Sequence, residues 1–182
     1  MYSKFIFQKT KAIKQAFKNR SVNSLKKIQY ECIEHLAIEF NENVFNLAII
    51  CYMISKMVSK PRYWQTKGIT GYQKKIELSL ENILLHYEKE EKISKIFQEI
   101  MQTINLLDIY DKKHIFNLLE GAKLKIGSSL YTKGMSLGIA ADLSGADRIE
   151  IMQYIGKTTI HERIQEPIDI KKRLEGVRKI FG

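Results

Sequence analysis

The chain has 182 residues, of which 45% are hydrophobic and 27% are charged, and its formal net charge is +10. This balance excludes a disordered chain and is typical of a soluble globular protein that buries a core without metals or disulfides. No apolar run reaches the roughly 18 residues that a membrane-spanning helix needs, and the positive excess favours a polyanionic partner.

The positive charge is concentrated at the two ends of the chain. The first 30 residues hold eight basic side chains and no acidic one, residues 31–120 hold 11 basic and 13 acidic ones, and residues 121–182 hold 11 and 7. This distribution indicates that the ends reach a polyanion such as DNA, RNA or an acidic membrane surface. A lysine-rich surface that only keeps the protein in solution gives the same pattern, so charge alone does not decide.

Helical periodicity runs through nearly the whole chain and predicts an all-α fold. The first helix, over residues 3–19, places apolar side chains on one side and Lys11, Lys14 and Lys18 on the other. Such a helix contacts a nucleic-acid backbone, lies on a membrane, or packs on its own bundle with its lysines in water. We predict that these three lysines contact phosphates.

Further apolar stripes predict core-facing helices over residues 25–40, 44–58, 76–87, 93–107 and 111–133. Cys32 lies within one of these stripes, which makes it a core residue, and its distance from Cys51 matches no zinc or redox motif.

Proline and two glycines over residues 60–73 predict a loop, in which Tyr63 and Trp64 cap the core or stack on a base.

We find no sequence motif for catalysis or for metal or cofactor binding. A glycine-rich phosphate loop, a His-Glu metal motif and a nucleophile elbow are all missing from the sequence. We therefore expect a protein that is not an enzyme, has no cofactor and resides in the reducing cytoplasm.

An alanine-rich stretch, "SLGIAADLSGADRIEIMQYIGK", predicts two short helices that cross closely. Ser136 is a good N-cap for a helix over residues 137–143, and Gly145 tolerates the positive φ that the turn requires. Asp147, with Glu150 three residues later, starts the second helix, and Gly156 is expected to end it. With the preceding helix this forms a three-helix helix-turn-helix module.

The residues after Gly156 predict an extended segment over residues 157–169, as an arm or a single edge strand, and a terminal amphipathic helix that begins after Asp169. We expect Ile160, Ile164 and Leu174 to bind a partner. The chain then divides into a helical bundle (1–108) with a basic first helix, and a helix-turn-helix domain with an arm and a terminal helix (109–182).

Residues 131–160 resemble the helix-turn-helix segment of archaeal transcription regulators and of small antitoxins encoded beside PIN-domain ribonucleases. The residues that carry the resemblance form a Ser-x-Gly-x-Ala-Ala core followed by an Arg-x-x-x-Met-x-Tyr-x-Gly helix: Ser136, Gly138, Ala140, Ala141, Gly145, Arg148, Met152, Tyr154 and Gly156. The resemblance implies that the second helix contacts the DNA major groove and that the following segment contacts a toxin or a second subunit.

The second helix offers Arg148, Gln153 and Lys157 to base edges. Lys133, which precedes the first helix of the motif, is expected to contact a phosphate together with the N-terminal lysines. The second helix also begins with Asp147 and Glu150, which suit a helix N-terminus but repel phosphates. The leading hypothesis is a DNA-binding transcription regulator or antitoxin, with a toxin or a second copy as possible protein partners. The alternatives are an RNA-binding or ribosome-associated protein and a protein-interaction module.

Overall fold

The computed structural model describes residues 2–61, 63, 69–109 and 118–162. These ranges contain no strand, which confirms the predicted all-α class. Eight helices are described in full: α1 (Tyr2–Lys18), α2 (Val22–Ile38), α3 (Glu42–Ser59), α4 (Ile69–His86), α5 (Glu90–Ile109), α6 (Leu118–Thr132), α7 (Leu137–Ser144) and α8 (Arg148–Glu162).

Polar caps start the second and third helices. The Ser21 hydroxyl accepts a hydrogen bond from the Ser24 backbone N–H at 3.3 Å. The Asn41 carbonyl oxygen accepts from the N–H groups of Asn43 and Val44 at 3.0 and 3.1 Å. Because the first N–H groups of a helix have no partner within it, these caps fix where α2 and α3 begin.

Helix α3 lies at the centre of the bundle and packs against α1, α2, α5 and α6. Most of its side chains are buried, which confirms the buried helix predicted over residues 44–58. Cys32 and Cys51 are both fully buried, as predicted for Cys32. Burial raises the pKa of the Cys32 thiol to about 12, so this thiol is a neutral core group.

Helix α4 begins at Ile69, earlier than the predicted loop over residues 60–73 allows. The loop prediction is therefore wrong for residues 69–73 and also for Pro61 and Tyr63, which are helical. Gly71 lies in the first turn of α4, and an isolated glycine is tolerated in a helix whose inner face is buried. Tyr63 is only 1% exposed and belongs to the core, whereas Trp64 lies outside the described residues.

Helix α6 connects the N-terminal helices to α7 and α8. It packs on α2, α3 and α5 with one part of its surface and on α7 and α8 with another. Four of its buried side chains and Ala140 of α7 belong to the same apolar cluster as the residues of α1–α5; the four are Leu118, Ala122, Ile126 and Leu130. The division at residue 108 stays a prediction.

The corner between α7 and α8 has the predicted caps and turn. The Ser136 hydroxyl accepts from the Ile139 N–H at 3.2 Å, and Gly145 adopts a φ of 64°. The Asp147 carboxylate accepts from the N–H groups of Ile149 and Glu150 at 2.8 and 3.1 Å. These three features were readable from the sequence because each depends on a few neighbouring residues.

Gly156 does not end the second helix, because α8 continues to Glu162. The predicted extended arm is therefore wrong for residues 157–162. A glycine ends a helix when it adopts a positive φ, and among the described glycines only Gly134 and Gly145 do so. In a helix interior, glycine costs only about 1 kcal/mol relative to alanine, and the next proline is Pro167.

Candidate functional site

A groove lined by lysines and tyrosines lies between α2, α3, α6 and α8. It consists of two cavities, of about 340 and 670 Å³, that share Tyr52, Lys56 and Tyr154. Its lining includes six lysines, three tyrosines and one carboxylate: Lys26, Lys56, Lys60, Lys125, Lys133, Lys157, Tyr30, Tyr52, Tyr154 and Glu150. We name this surface the basic groove.

Three of the groove lysines lie over the rings of groove tyrosines. The ammonium nitrogen is 5.2 Å from the ring centre for Lys56 and Tyr52, 5.7 Å for Lys125 and Tyr154, and 4.4 Å for Lys133 and Tyr30. These distances are within the range of cation–π attraction. Cationic and aromatic groups therefore alternate along the groove wall.

Tyr52 is held in place by a close approach of α6. A Cβ atom added to Gly121 would lie 3.2 Å from the Tyr52 hydroxyl oxygen, so the bare glycine leaves room for the ring. Burial, and next the nearby Tyr154, raise the pKa of Tyr52, and burial raises the pKa of Tyr154. Both phenols are therefore neutral at physiological pH, with rings that a planar ligand can contact.

Lys133 marks the end of the groove near α2. Its ammonium donates to the Tyr30 hydroxyl at 3.3 Å and lies 3.5 Å from a Glu34 carboxylate oxygen. The hydrogen bond to Tyr30 is the largest influence that raises the pKa of Lys133. The predicted phosphate contact at Lys133 thus stays charged and already has partners within the protein.

The three residues predicted to read bases do not share one side of α8. Gln153 and Lys157 line the basic groove, together with Glu150. Arg148 is rotated from Gln153 by about 140° and from Lys157 by about 180° around the helix axis. Its guanidinium lies 3.6 Å from the Asp142 carboxylate on α7.

The N-terminal lysines lie on a different surface. Lys11, Lys14 and Lys18 line a shallow groove between α1 and α4. Lys14 forms a 2.6 Å ion pair with Glu81 of α4, which places a carboxylate among the lysines. The structure therefore brings Lys133, Gln153 and Lys157 together and separates them from Lys11, Lys14 and Lys18.

The outer surface of the α7–α8 corner is apolar. Ile139 on α7 is 53% exposed, and Ile149 and Met152 on α8 are 67% and 46% exposed. On a helix that reads a major groove, base-reading side chains occupy the outer face. Here two large apolar side chains lie on the outer face of α8.

The residues predicted to bind a partner lie at or beyond the end of the structure. Ile160 lies in the last turns of α8 instead of an extended arm. Ile164 and Leu174 lie outside the described residues.

The described ranges contain neither a candidate metal site nor a membrane-spanning helix. No three His, Cys, Asp or Glu side chains converge there in a way that could hold a metal ion. None of the described helices combines the length and the apolar character needed to cross a membrane.

Comparisons with protein-family models, with curated proteins and with solved structures found no match.

Sequence reasoning missed most of the groove. One available signal was the spacing of Tyr52 and Lys56, which are four residues apart in a mostly apolar helix. Lys26 and Tyr30 repeat the same spacing on α2. The convergence of four helices on one surface depends on tertiary packing, which this spacing does not specify.

Proposed function

We propose that this protein is a nucleic-acid-binding protein without catalytic activity, and that it binds a single strand in the basic groove. The observation that supports this proposal is the convergence of six lysines and three tyrosines with one carboxylate on four helices. Cationic grooves with aromatic side chains bind single strands because the cations follow the phosphates and the rings stack on the bases.

Two features favour a single strand over a duplex read by α8. Arg148 lies on the other side of the helix from Gln153 and Lys157, and the outer face carries Ile149 and Met152. Duplex reading requires polar side chains on the face that enters the groove. The regulator and antitoxin hypotheses, which depend on the resemblance of residues 131–160, stay predictions.

The test measures the affinity for labelled oligonucleotides of about 12 nucleotides by fluorescence anisotropy over a salt series. The probes are single-stranded RNA, single-stranded DNA and a duplex of the same sequence. We expect the single strands to bind more tightly. Replacing Lys56 or Lys125 by alanine should weaken binding and reduce the slope of log K against log salt by about 0.7 for each phosphate that the variant no longer neutralises.

The control is Lys92→Ala, which removes an exposed lysine of α5 outside the groove. This change should leave the affinity and the slope of log K against log salt unchanged. Tighter binding of the duplex, or equal losses in all three variants, would contradict the proposal. Absence of binding to every probe at low salt would also overturn it.

The exposed apolar side chains at the α7–α8 corner favour a second candidate function, self-association through this corner. Ile149 and Met152 are one turn apart, and the nearby Arg148 and Asp142 supply charges of both signs. A surface that pairs with its own copy across a two-fold axis needs this self-complementarity.

We expect Ile149→Lys to convert a dimer into a monomer in analytical ultracentrifugation. The control is Ile38→Lys, at an isoleucine of α2 that is 89% exposed and should tolerate the change without loss of the dimer. A wild-type protein that is monomeric at every concentration would rule out this second function.

A further inference from the structure

Gln29 is a buried polar residue in the wall of the basic groove. It lies on α2, is only 6% exposed, and lines the larger cavity beside Tyr30, Tyr52 and Tyr154. Its amide nitrogen is buried and has no hydrogen-bond partner among the described residues. A buried amide without a partner destabilises a folded protein, so such a group in a cavity points to a ligand that completes it.

Three hydroxyl groups of this cavity already donate hydrogen bonds within their own helices. The hydroxyl of Ser55 donates to the Tyr52 carbonyl at 2.8 Å, and that of Ser129 donates to the Lys125 carbonyl at 2.8 Å. Thr132 donates to the Ser129 carbonyl at 2.9 Å. The amide nitrogen of Gln29 has no such partner and can make a new directional contact in this cavity.

The chemistry of the amide distinguishes a nucleobase from a phosphate. A glutamine amide carries a donor and an acceptor side by side, and base edges present donors and acceptors in the same way. A phosphate oxygen can accept from the amide nitrogen but offers no donor to the amide oxygen, whereas a base edge can meet both groups. The more exposed Lys26 and Lys133 suit the phosphates instead.

We propose that this cavity accepts one unstacked nucleobase of the bound strand. The base edge hydrogen-bonds to the Gln29 amide, its face contacts a groove tyrosine, and the flanking phosphates lie near the lysines. This inference rests on the proposed single-strand function and adds that the protein reads bases as well as the backbone.

The experiment compares a single strand of about 12 nucleotides with an abasic strand of the same length, using anisotropy with wild type and Gln29→Met. Methionine keeps most of the volume and removes both hydrogen-bonding groups. We expect the variant to bind the intact strand about tenfold more weakly and the abasic strand as tightly as wild type does. The slope of log K against log salt should not change, because the phosphate contacts remain.

Gln98→Met, the same substitution at an exposed position of α5, is the matched control and should bind both strands as wild type does. Equal losses on the intact and abasic strands, or no loss on either, would overturn the base contact while leaving the proposed function in place. Failure of wild type to bind either strand would overturn both.

A second measurement covers the case in which Gln29→Met does not fold. In wild type, the side-chain amide NMR signals of Gln29 should shift on addition of the intact strand and stay unchanged with the abasic strand. Signals that respond equally to both strands would contradict a base contact.

Discussion

Gly127 allows α6 to approach the α7–α8 corner. A Cβ atom added there would lie 2.5 Å from the Ser144 hydroxyl oxygen and 3.0 Å from the Ile151 side chain. Ser144 is buried, and its hydroxyl oxygen donates to the Ala141 carbonyl and accepts from the Ala146 N–H. The neighbour that would have to move is therefore held in place.

We expect Gly127→Ala to lower the free energy of unfolding by about 1–3 kcal/mol, because the added methyl group overpacks this contact. The matched control is Gly156→Ala in α8, where an added Cβ atom meets nothing within 4 Å. That change should raise the free energy of unfolding by about 0.5–1 kcal/mol. Urea unfolding followed by circular dichroism measures both, and a stabilising Gly127→Ala would show that the contact is loose.

Glycines that a turn requires can be predicted from the sequence, whereas glycines that close packing requires cannot. Gly145 was predicted because a turn between two caps requires a positive φ, which is a local property. Positions 121 and 127 require glycine for a different reason: Tyr52 packs against Gly121, and Ser144 packs against Gly127, which leaves little room for a side chain. Those partners lie far away in the chain or across a turn, so their role becomes visible only in the folded structure.

Capping by Asp147 is the main local signal that starts α8. Its carboxylate accepts two backbone hydrogen bonds in the first turn of the helix. We expect Asp147→Ala to lower the free energy of unfolding by about 1 kcal/mol, because two N–H groups are left without their acceptor. Denaturant titration of wild type and variant gives this difference.

Asp142→Ala is the corresponding control on α7. Asp142 is exposed and its carboxylate lies 3.6 Å from Arg148, and such surface ion pairs contribute about 0–1 kcal/mol. If Asp142→Ala lowered the free energy of unfolding more than Asp147→Ala does, the ion pair with Arg148, and not capping, would be the main stabilising contact of this corner.

At the level of whole helices, the sequence predicted which segments are helical better than where they end. The starts of α7 and α8 were predicted from their caps, whereas Gly156 was expected to end α8 and does not. A start is fixed by one side chain that satisfies free N–H groups. An end depends on the balance between a small glycine penalty and the packing of the helix, which the local sequence does not give.

At the level of the whole molecule, one apolar cluster extends from α1 to α7. The all-α class was readable because helical periodicity repeats along the chain. The candidate site was readable only in part: charge counting pointed to the two ends, which supply four of the six groove lysines, but it did not show that they converge on one surface. Two of the groove lysines, Lys56 and Lys60, come from the nearly neutral middle of the chain, and packing places them beside Lys125 and Lys157.

The lysines that lie over tyrosine rings in the basic groove already occupy surfaces that bases would use. Under the proposed function, a base that stacks on Tyr52 or Tyr154 would exchange places with an ammonium group. Stacking contributes about 1–3 kcal/mol per base, and each cation–π contact that is given up contributes about 0.5–1 kcal/mol. The displaced lysine would then be free to contact a phosphate of the bound strand. For the proposed site, this competition lowers the net gain from each stacked base and favours reversible binding of a strand.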